Sequence, residues 1–569
     1  DITLAVEARW RGQAIDVPSA EVRSSAGQWL RITRLAALVS EVRLLQADGG
    51  AVRLDHQFGF LDFEGGKREI ALRGVPEGKF VGLEFQVGVP ANVNHADPAG
   101  WPAGHPLHPL VNRLHWGWQG GYVFAALEGH WTGRSAEQPR EDLRGFSYHL
   151  ATDARLMTVR FLANYQVEGS TRIRLAIDLA RMFGTERLAA DDGSESTHSA
   201  EGDERAVRLS SALERSWFWL GCERDGSRER ERVDGELKPL AHAHGYETRT
   251  PFAFAVPAGF PQPALPDDNP LTVEGVALGE RLFFDPRLSR DGTQSCAACH
   301  TPMQAFSDTV ALSRGVDGTP GIRNAMPLFN LAWQPNYAWD GSQPRIRDQA
   351  LAAMRNPREM AADDFAVLTA LAKDEDMGIK FEAAFGDGEV TTDRIGLALE
   401  QFLMTQVSAD SRFDRALRGE APLSEVERRG FELFLTEYDP ARGQFGADCF
   451  HCHGGALFTD FGFKNNGLAE AGDVGRAGVS RQASDQGRFK TPSLRNVAVT
   501  GPYMHDGSVA TLEAVIAHYD HGVTRSASLD ANLAKHPNSG MKLSEADQRA
   551  LVAFLRTLTD ARYEQADMQ

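Results

Sequence analysis

Cysteine is scarce in this chain of 569 residues, which contains only five. Proteins held together by disulfides carry many more cysteines for their length, so the composition does not predict a disulfide framework. Four of the five cysteines fall into two short motifs. The fifth, Cys222, stands close to Trp217, Phe218 and Trp219, which favours a buried apolar thiol.

Long apolar runs and excess positive charge are missing as well. No segment approaches the roughly 20 consecutive apolar residues of a membrane-spanning helix, so no span is predicted. The 60 Lys and Arg residues are outnumbered by 78 Asp and Glu residues, which gives a formal net charge of −18. This balance argues against binding to nucleic acid phosphates or to anionic lipid. The composition therefore favours small or neutral partners.

The amino-terminal third has the alternating pattern of β-strands. In TRIRLAIDL, Ile173, Leu175, Ile177 and Leu179 share one face of a predicted strand. Several similar short runs are separated by glycine and proline. Repeated short strands with turn signals predict an antiparallel sandwich or barrel, and we assign residues 1–200 to an antiparallel β-sandwich.

The rest of the chain is predicted to be a connector followed by a helical domain. Residues 201–256 are polar and charged, with one helix predicted at 204–220, and they lead into a proline-rich stretch. Beyond it the hydrophobic residues recur with the period of helices, and Ser424 and Glu427 form a predicted capping box. We therefore expect residues 257–569 to be mainly α-helical.

Two Cys-x-x-Cys-His motifs, CAACH and CFHCH, lie in the predicted helical domain. This spacing is the attachment signature of c-type haem, in which both thiols bind the porphyrin and the adjacent histidine binds iron. A zinc site would need further Cys or His ligands, and a thioredoxin-like motif would need a βαβ context. The sequence therefore predicts two covalently attached haems. The residues concerned are Cys296, Cys299 and His300 in the first motif and Cys449, Cys452 and His453 in the second.

The sixth coordination position of each iron separates electron carriage from chemistry on small oxidants. No histidine occurs between His300 and His451, so the loop after the first motif offers no second imidazole. Met303, Met326 and Met360 are alternative ligands there, although each also fits ordinary core packing.

Several longer motifs in the helical domain carry a family resemblance. They are LGERLFFDPRLSRDGTQSCAACH, GIRNAMPLFN, WDGSQPRIRDQA, NPREM, CFHCHGG and FKTPSLRNVAVTGPYMHDGSVATL. On these motifs about half the chain resembles the bacterial dihaem cytochrome c peroxidases, and more closely their MauG-like branch. The resemblance implies hydrogen peroxide as a substrate, Trp339 between the two haems, and Glu359 over the open face of the first haem. A carboxyl group there can move a proton between the oxygens of peroxide. The resemblance also implies a calcium ion, held by Asn324, Thr500 and Pro502.

The same resemblance implies a sixth ligand for the second haem. The peroxidase branch has a methionine after the histidine of PYMHDGSV, whereas the MauG-like branch has a tyrosine at that position. Counting fourteen residues from His505 reaches Tyr519. Tyrosinate is an anionic ligand that favours ferric and higher iron states. The alternatives are His518, His521 and Met504.

The amino-terminal domain is similar to MbnP, a methanobactin-associated copper-binding family. The shared motifs are WGWQGGY and a His-Leu pair at His149, although Ala151 replaces the expected glycine and no cysteine follows. In that family a MauG-like partner enzyme converts a tryptophan to kynurenine, and the product helps to bind copper. Without the resemblance, these tryptophans would be packing residues. The implied copper ligands are His95, His149 and His198, and the implied modification sites are Trp116 and Trp118.

Together these features predict a peroxide-dependent dihaem oxidase that oxidises a tryptophan of its own amino-terminal domain and so forms a copper site. Covalent haem attachment predicts a periplasmic or otherwise exported protein. Two alternatives stay open: a cytochrome c peroxidase supplied by an external electron donor, and a copper-binding electron-transfer protein without enzymatic activity.

Overall fold

The computed structural model describes residues 1–117, 120–133, 143–184, 187–190, 193–224, 249–468 and 472–564. Within these ranges, none of the helices has the length and apolar character needed to cross a membrane. A β-rich amino-terminal part is followed by a helical carboxyl-terminal part. The predicted multidomain fold class is therefore confirmed.

The amino-terminal part consists of strands with a few short helices. The strands are β1 (Ile2–Trp10), β2 (Gln13–Ala14), β3 (Glu21–Arg23), β4 (Trp29–Leu45), β5 (Ala51–Leu54), β6 (Gly59–Asp62), β7 (Glu69–Leu72), β8 (Gly78–Val87), β9 (Val123–Thr132), β10 (Arg144–Ala151), β11 (Met157–Val167), β12 (Thr171–Asp178), β13 (Ser196–Thr197) and β14 (Trp217–Arg224). The helices are α1 (Ala91–Asn94), α2 (Pro109–Asn112) and α3 (Glu204–Glu214).

These strands form two sheets that share one core. The smaller sheet has the order β14-β12-β1-β2, with β7 also on β1, and the larger has the order β11-β8-β4-β9-β10-β13, with β3, β5 and β6 also on β4. Leu4 and Leu175 of the smaller sheet lie in the same buried cluster as Leu38 and Phe85 of the larger. Two pairs, β1 with β12 and β10 with β13, are parallel. The predicted antiparallel arrangement is wrong for these two pairs, each of which joins strands separated by the long stretch of chain that parallel pairing requires.

The helix predicted at 204–220 is shorter in the structure. Helix α3 ends at Glu214, and the chain returns as β14, which pairs with β12. Trp217 then packs against Phe85 at a ring distance of 5.1 Å. Pairing with a sheet edge satisfies the backbone of these residues, which a local helical pattern cannot reveal. The sheet thus includes a strand within the predicted connector. Cys222 of β14 is half-buried, and burial raises the pKa of its thiol.

The carboxyl-terminal part is built mainly from helices around two hydrophobic cores. The helices are α4 (Val273–Phe283), α5 (Ile346–Arg355), α6 (Asp364–Ala372), α7 (Glu375–Phe385), α8 (Thr392–Met404), α9 (Arg412–Leu417), α10 (Glu425–Leu435), α11 (Ala477–Ser480), α12 (Leu512–Ala517), α13 (Ala531–Ala534) and α14 (Glu545–Arg556). Short strand pairs join β15 (Tyr438–Asp439) to β16 (Gln444–Phe445) and β17 (Phe463–Lys464) to β18 (Phe489–Lys490).

Each core belongs to a lobe that carries one Cys-x-x-Cys-His motif. In the first lobe Cys296 packs against the core that includes Phe381 of α7. In the second lobe Cys449 packs against the core formed largely by α10 and α14. Helix α10 begins at the predicted capping box, in which the Glu427 N–H donates to Ser424 Oγ at 3.3 Å and the Ser424 N–H donates to Glu427 Oε2 at 2.7 Å. That sequence prediction is confirmed.

Candidate functional site

The histidines of the two Cys-x-x-Cys-His motifs are held in the same way. Nδ1 of His300 lies 3.0 Å from Phe306 O, and Nδ1 of His453 lies 3.1 Å from Phe458 O. A backbone acceptor on Nδ1 selects the tautomer whose Nε2 lone pair can bind a metal. None of the five cysteines, all of which lie in the described residues, forms a disulfide. The residues of both motifs therefore fit covalently attached haem.

An apolar cavity opens beside the second motif. Its walls include Cys449, Cys452 and His453, together with Met504 and Tyr519 from a later part of the chain. The cavity thus combines two thiols and an imidazole with two further side chains that can bind iron. This is the set of groups that a six-coordinate c-type haem requires.

Tyr519 lies in a π-helical turn, His518–Gly522, that continues α12. Turns of this kind are frequent at functional sites. Asn466 Nδ2 lies 3.4 Å from Tyr519 Oη and 3.2 Å from Met504 Sδ, so one amide contacts both candidate ligands. Burial raises the pKa of Tyr519 to about 12. A cation at its oxygen would therefore be needed to hold the tyrosinate form near neutral pH.

The other two alternative ligands point elsewhere. Nε2 of His518 lies 3.0 Å from Asn466 O. The side chain of His521 is 60% exposed and lies 3.0 Å from an oxygen of Asp520. Neither histidine lines the cavity, whereas Tyr519 does.

Glu359 is half-buried near the first motif. The Asn356 side-chain amide donates to its Oε1 at 2.7 Å, and burial raises the pKa of the carboxyl group despite this hydrogen bond. Burial, with smaller contributions from the charges of Asp308 and Glu359, raises the pKa of the Cys299 thiol. The Glu359 carboxyl group is thus close enough to the first motif to affect the pKa of Cys299. Its own raised pKa suits proton transfer.

Trp339 and the predicted calcium ligands lie on the wall of the cavity beside the second motif. The Trp339 indole N–H donates to Asn324 O at 2.9 Å, which fixes the ring. Thr500 and Pro502 line the same wall, so the structure brings the three predicted calcium ligands to one region. Oxygen donors suit calcium. Calcium binding here stays a prediction.

Three histidines from both parts of the chain meet between the domains. His149 of β10, His198 after β13, and His451 of the second motif each place a ring nitrogen within 4.8 Å of the others. Their ring centroids are 4.8, 4.9 and 5.5 Å apart. Their side chains are 6%, 15% and 2% exposed, respectively. Three buried imidazoles at this spacing can bind one transition-metal ion.

Carboxylates orient the rings of this histidine cluster. Nε2 of His149 lies 2.9 Å from Glu128 Oε1, and its Nδ1 is buried without a hydrogen-bond partner. Nε2 of His451 lies 2.9 Å from Glu437 Oε2. Nε2 of His198 is 3.2 Å from the same carboxylate but outside hydrogen-bonding geometry. Burial lowers the pKa of His149 and of His198, which favours the neutral form that binds metals.

Trp116 stands at the edge of the histidine cluster. Its ring centroid lies 5.7 Å from that of His198 and 6.2 Å from that of His149. The indole is half-buried and packs against the cores of both the sandwich and the second lobe. It also lines two cavities with volumes of about 300 and 630 Å³. Small molecules can therefore approach the ring while the two domains hold it.

Gly117, which follows Trp116, packs against the chain just after the second motif. A Cβ added at Gly117 would lie 3.0 Å from Gly455 Cα, so the two backbones are close. Gly455 comes two residues after His453. The backbone next to Trp116 thus lies directly against the segment that follows the second motif.

His95 and Trp118 are the remaining predicted residues of the amino-terminal domain. Nε2 of His95 lies 2.9 Å from Asp153 Oδ2, and the side chain is 59% exposed. It lines the larger cavity with Trp116 and His198 but lies outside the histidine cluster. Its role as a ligand stays a prediction. Trp118 lies outside the described residues.

His451 and Glu437 have no counterpart among the sequence-predicted site residues. The signal for His451 was present, because CFHCH carries an imidazole at a position that haem attachment does not use. Glu437 carried no such signal, since a lone glutamate near Tyr438 is usually a solvated charge. Its side chain is only 7% exposed.

Both parts of the chain match known families. Residues 273–422 match the family described as di-haem cytochrome c peroxidase, and residues 1–199 match the MbnP family. The methylamine utilization protein MauG of Methylorubrum extorquens is 39% identical over 297 residues, which are 52% of this chain and 80% of that protein.

Cytochrome c peroxidase Ccp of Escherichia coli is 33% identical over 308 residues, which are 52% of this chain and 61% of that protein. A crystal structure described as a MauG-like protein associated with microbial copper homeostasis is 34% identical, with a TM-score of 0.49. It covers 55% of this chain and 99% of that one.

Proposed function

Because the chain belongs to the MauG-like dihaem cytochrome c peroxidase family and carries an MbnP domain, we propose that it uses peroxide to convert its own Trp116 to kynurenine. The class of enzyme, a dihaem oxidoreductase, follows from the family. The choice of Trp116 rests on one observation. This indole contacts the second lobe and two predicted copper ligands at once, and its loop lies on the loop of the second motif.

The haem groups would be held by residues that the sequence already identified. His300 and His453 would bind the two irons, and Tyr519 would be a further ligand of the iron held by His453. Bound haem would supply iron that accepts oxidising equivalents from peroxide. Glu359 would take a proton from one peroxide oxygen and deliver it to the other, for which its raised pKa is suited. Trp339 would connect the two haem sites.

The conversion of Trp116 consumes two molecules of peroxide. The bond between the two carbons of the pyrrole double bond breaks, and each carbon gains one oxygen atom. This is a four-electron oxidation, balanced by reduction of two peroxides to water. Hydrolysis then releases formate and leaves the ketone and aromatic amine of kynurenine beside His149 and His198.

The histidine pair in the amino-terminal domain fits copper. His149 has a buried Nδ1 without a hydrogen-bond partner, and Glu128 holds its other nitrogen at 2.9 Å. An imidazole fixed by a carboxylate is the common arrangement of a metal-binding histidine. His198 and the new amine or ketone of residue 116 would add further donors. A periplasmic or otherwise exported location belongs to the same proposal, because covalent haem is generally attached outside the bacterial cytoplasm.

Peptide mass mapping of residues 114–134 tests this function. We expect Trp116 to carry the mass change of kynurenine in the parent protein after exposure to peroxide. The Glu359→Gln variant keeps the shape of the side chain but cannot exchange the proton, so we expect the modification to fall by about 100-fold or more. Fragment ions within the peptide separate Trp116 from Trp118.

The opposite result would favour the second function. Relatives that include Ccp of Escherichia coli are named cytochrome c peroxidases. If both tryptophans stay intact in peroxide while a reduced cytochrome is oxidised rapidly, the chain is a peroxidase supplied by an external donor. Modification of Trp118 alone would move the target by two residues and leave the reaction class unchanged.

A further inference from the structure

We infer that His451 is a third protein ligand of the metal site, so that this site is shared between the two domains and includes a residue of the second haem-attachment loop. The identity of the metal as copper rests on the function proposed above. The set of three imidazole ligands does not rest on that function, because it is inferred from the positions of the side chains.

The geometry of the histidine cluster supports a role for His451 as a ligand. His149 and His198 belong to the amino-terminal domain, and His451 is the only member from the helical domain. One ring nitrogen from each lies within 4.8 Å of the other two. The His451 side chain is only 2% exposed, so its ring faces the cluster rather than solvent. One ion placed among these nitrogens can be reached by all three with small side-chain movements.

Each ring of the histidine cluster has one nitrogen in contact with a neighbouring side chain and one without a hydrogen bond. Glu128 takes Nε2 of His149, and Nδ1 is left without a partner. Glu437 takes Nε2 of His451, which leaves Nδ1 for a metal. Nδ1 of His198 lies 3.4 Å from Ser196 Oγ, and its Nε2 is buried without a hydrogen bond. A carboxylate on the far nitrogen is the usual support of a metal-binding imidazole.

Buried side chains of the helical domain hold the ring of His451 in place. Glu437, which accepts from its Nε2, also forms an ion pair with Lys535. Asp448 lies 3.2 Å from the Lys535 ammonium and 2.7 Å from Nε2 of His536. This buried network presents His451 to the amino-terminal domain in one orientation. Attachment of both neighbouring cysteines to haem would restrain the same loop further.

The consequence is a metal site that needs both domains. The amino-terminal domain alone offers two imidazoles, whereas the docked chain offers three. Imidazole donors suit copper and zinc, and loss of one donor from a small set weakens binding strongly. His451 also stands two residues before His453, the predicted ligand of the second haem iron. Metal loading and the second haem should therefore influence one another.

The experiment counts imidazoles on copper in the full-length protein with both haems attached. X-ray absorption at the copper edge, after loading with one equivalent of cupric ion, detects imidazole by its multiple scattering and is blind to haem iron. We expect three imidazoles in the parent and two in His451→Gln. Competition with a chromophoric chelator should show affinity for copper reduced by about 100-fold or more in the variant.

His130→Gln is the matched control. His130 is also a buried histidine at the domain interface, where its Nε2 donates to Leu529 O at 2.8 Å, but it lies outside the cluster. We expect three imidazoles and parental affinity in this variant. The haem content of every sample is measured, so that loss of attachment in His451→Gln is recognised. The number of imidazoles on copper in the parent protein is measured without any variant, so this test does not depend on whether a variant folds.

The outcomes separate this inference from the proposed function. Two imidazoles in the parent, no copper binding, or unchanged affinity in a haem-loaded His451→Gln variant would overturn the role of His451. Kynurenine at residue 116 together with only two imidazoles would leave the proposed function standing alone. Three imidazoles together with an intact Trp116 would support the ligand set while the proposed oxidation fails.

Discussion

At the scale of single residues, the ligand of the second haem depends on a choice between Tyr519 and Met504. Both line the cavity beside the second motif, and both contact the Asn466 amide. The phenol is a hard oxygen donor and the thioether a soft sulfur donor, so they would hold the iron at different potentials. The choice between these two ligands would therefore decide whether the second site stabilises oxidised iron or carries electrons at higher potential.

The Tyr519→Phe variant tests this choice, because it removes one oxygen and leaves the ring. We expect the low-spin ferric signal of the second haem in electron paramagnetic resonance to be lost or replaced, and its reduction potential to rise. The Met504→Leu variant removes the competing sulfur from the same cavity. It should leave the signal unchanged, and a change only in Met504→Leu would identify methionine as the ligand.

At the scale of elements, strand β9 connects the sandwich to the helical domain. Glu128 pairs with Arg34 of β4 at 2.7 Å and with His149 of β10, so it ties three strands to the histidine cluster. Two residues later on the same strand, His130 donates to Leu529 O in the loop before α13. Alternate residues of one strand share a face, so β9 presents both groups to the interface.

Burial of His130 predicts a dependence of stability on pH. Burial lowers its pKa from 6.5 to about 4, so the folded chain holds the ring neutral while the unfolded chain takes up a proton below pH 6.5. The stability that comes from keeping His130 neutral is therefore complete above pH 6.5 and is lost progressively as the pH falls toward 4. Between about pH 7 and pH 5 the loss is about 2 kcal/mol in the free energy of unfolding.

Urea denaturation of the parent and of His130→Gln at several pH values measures this contribution. Glutamine keeps an N–H donor for Leu529 O and does not titrate. The difference in unfolding free energy between the two proteins should therefore shrink or reverse in favour of the variant as the pH falls. Parallel curves across this range would show that His130 is not the group responsible.

At the scale of the whole molecule, the two domains are docked by many separate contacts. Arg488 of the helical domain pairs with Glu64 at 2.9 Å, and the Arg525 side chain donates to Leu143 O at 3.1 Å. Gly145 of β10 packs against the backbone of α13, where any Cβ would collide with Ala531 O. This docking holds the Trp116 loop against the second motif, so the proposed reaction depends on the interface as a whole.

The Gly145→Ala variant tests whether the proposed reaction depends on the docking of the two domains. Gly145 is far from either haem motif in the sequence. The added methyl group must push the domains apart at this point, at a cost of about 1–3 kcal/mol. We expect slower conversion of Trp116 and weaker copper binding, with both haems still attached. Gly133→Ala is the control, because an added Cβ there meets no atom within 4 Å. Equal conversion rates in the two variants would mean that docking at α13 does not control the reaction.

Parts of the architecture could be predicted because they depend on patterns close together in the chain. Strands such as Thr171–Asp178 and the capping box at Ser424 are set by local periodicity and by side-chain hydrogen bonding. The length of α3 could not be predicted, because Trp217–Arg224 becomes a strand only when β12 offers an edge to pair with. The short resemblance motifs indicated His149 and His198, but not their distance from His451.

By itself, the sequence determined the chemistry that each segment can carry: two thiol–thiol–histidine motifs of the haem-attachment type, an amino-terminal domain that resembles MbnP, and a net negative charge of −18. Only the tertiary structure decided which of these groups meet. Folding brings together Trp116, His198 and His451, three residues far apart in the chain, and leaves His95 outside their cluster. The reason is that spacing along a chain constrains near neighbours, whereas contacts between domains depend on the packing of whole surfaces.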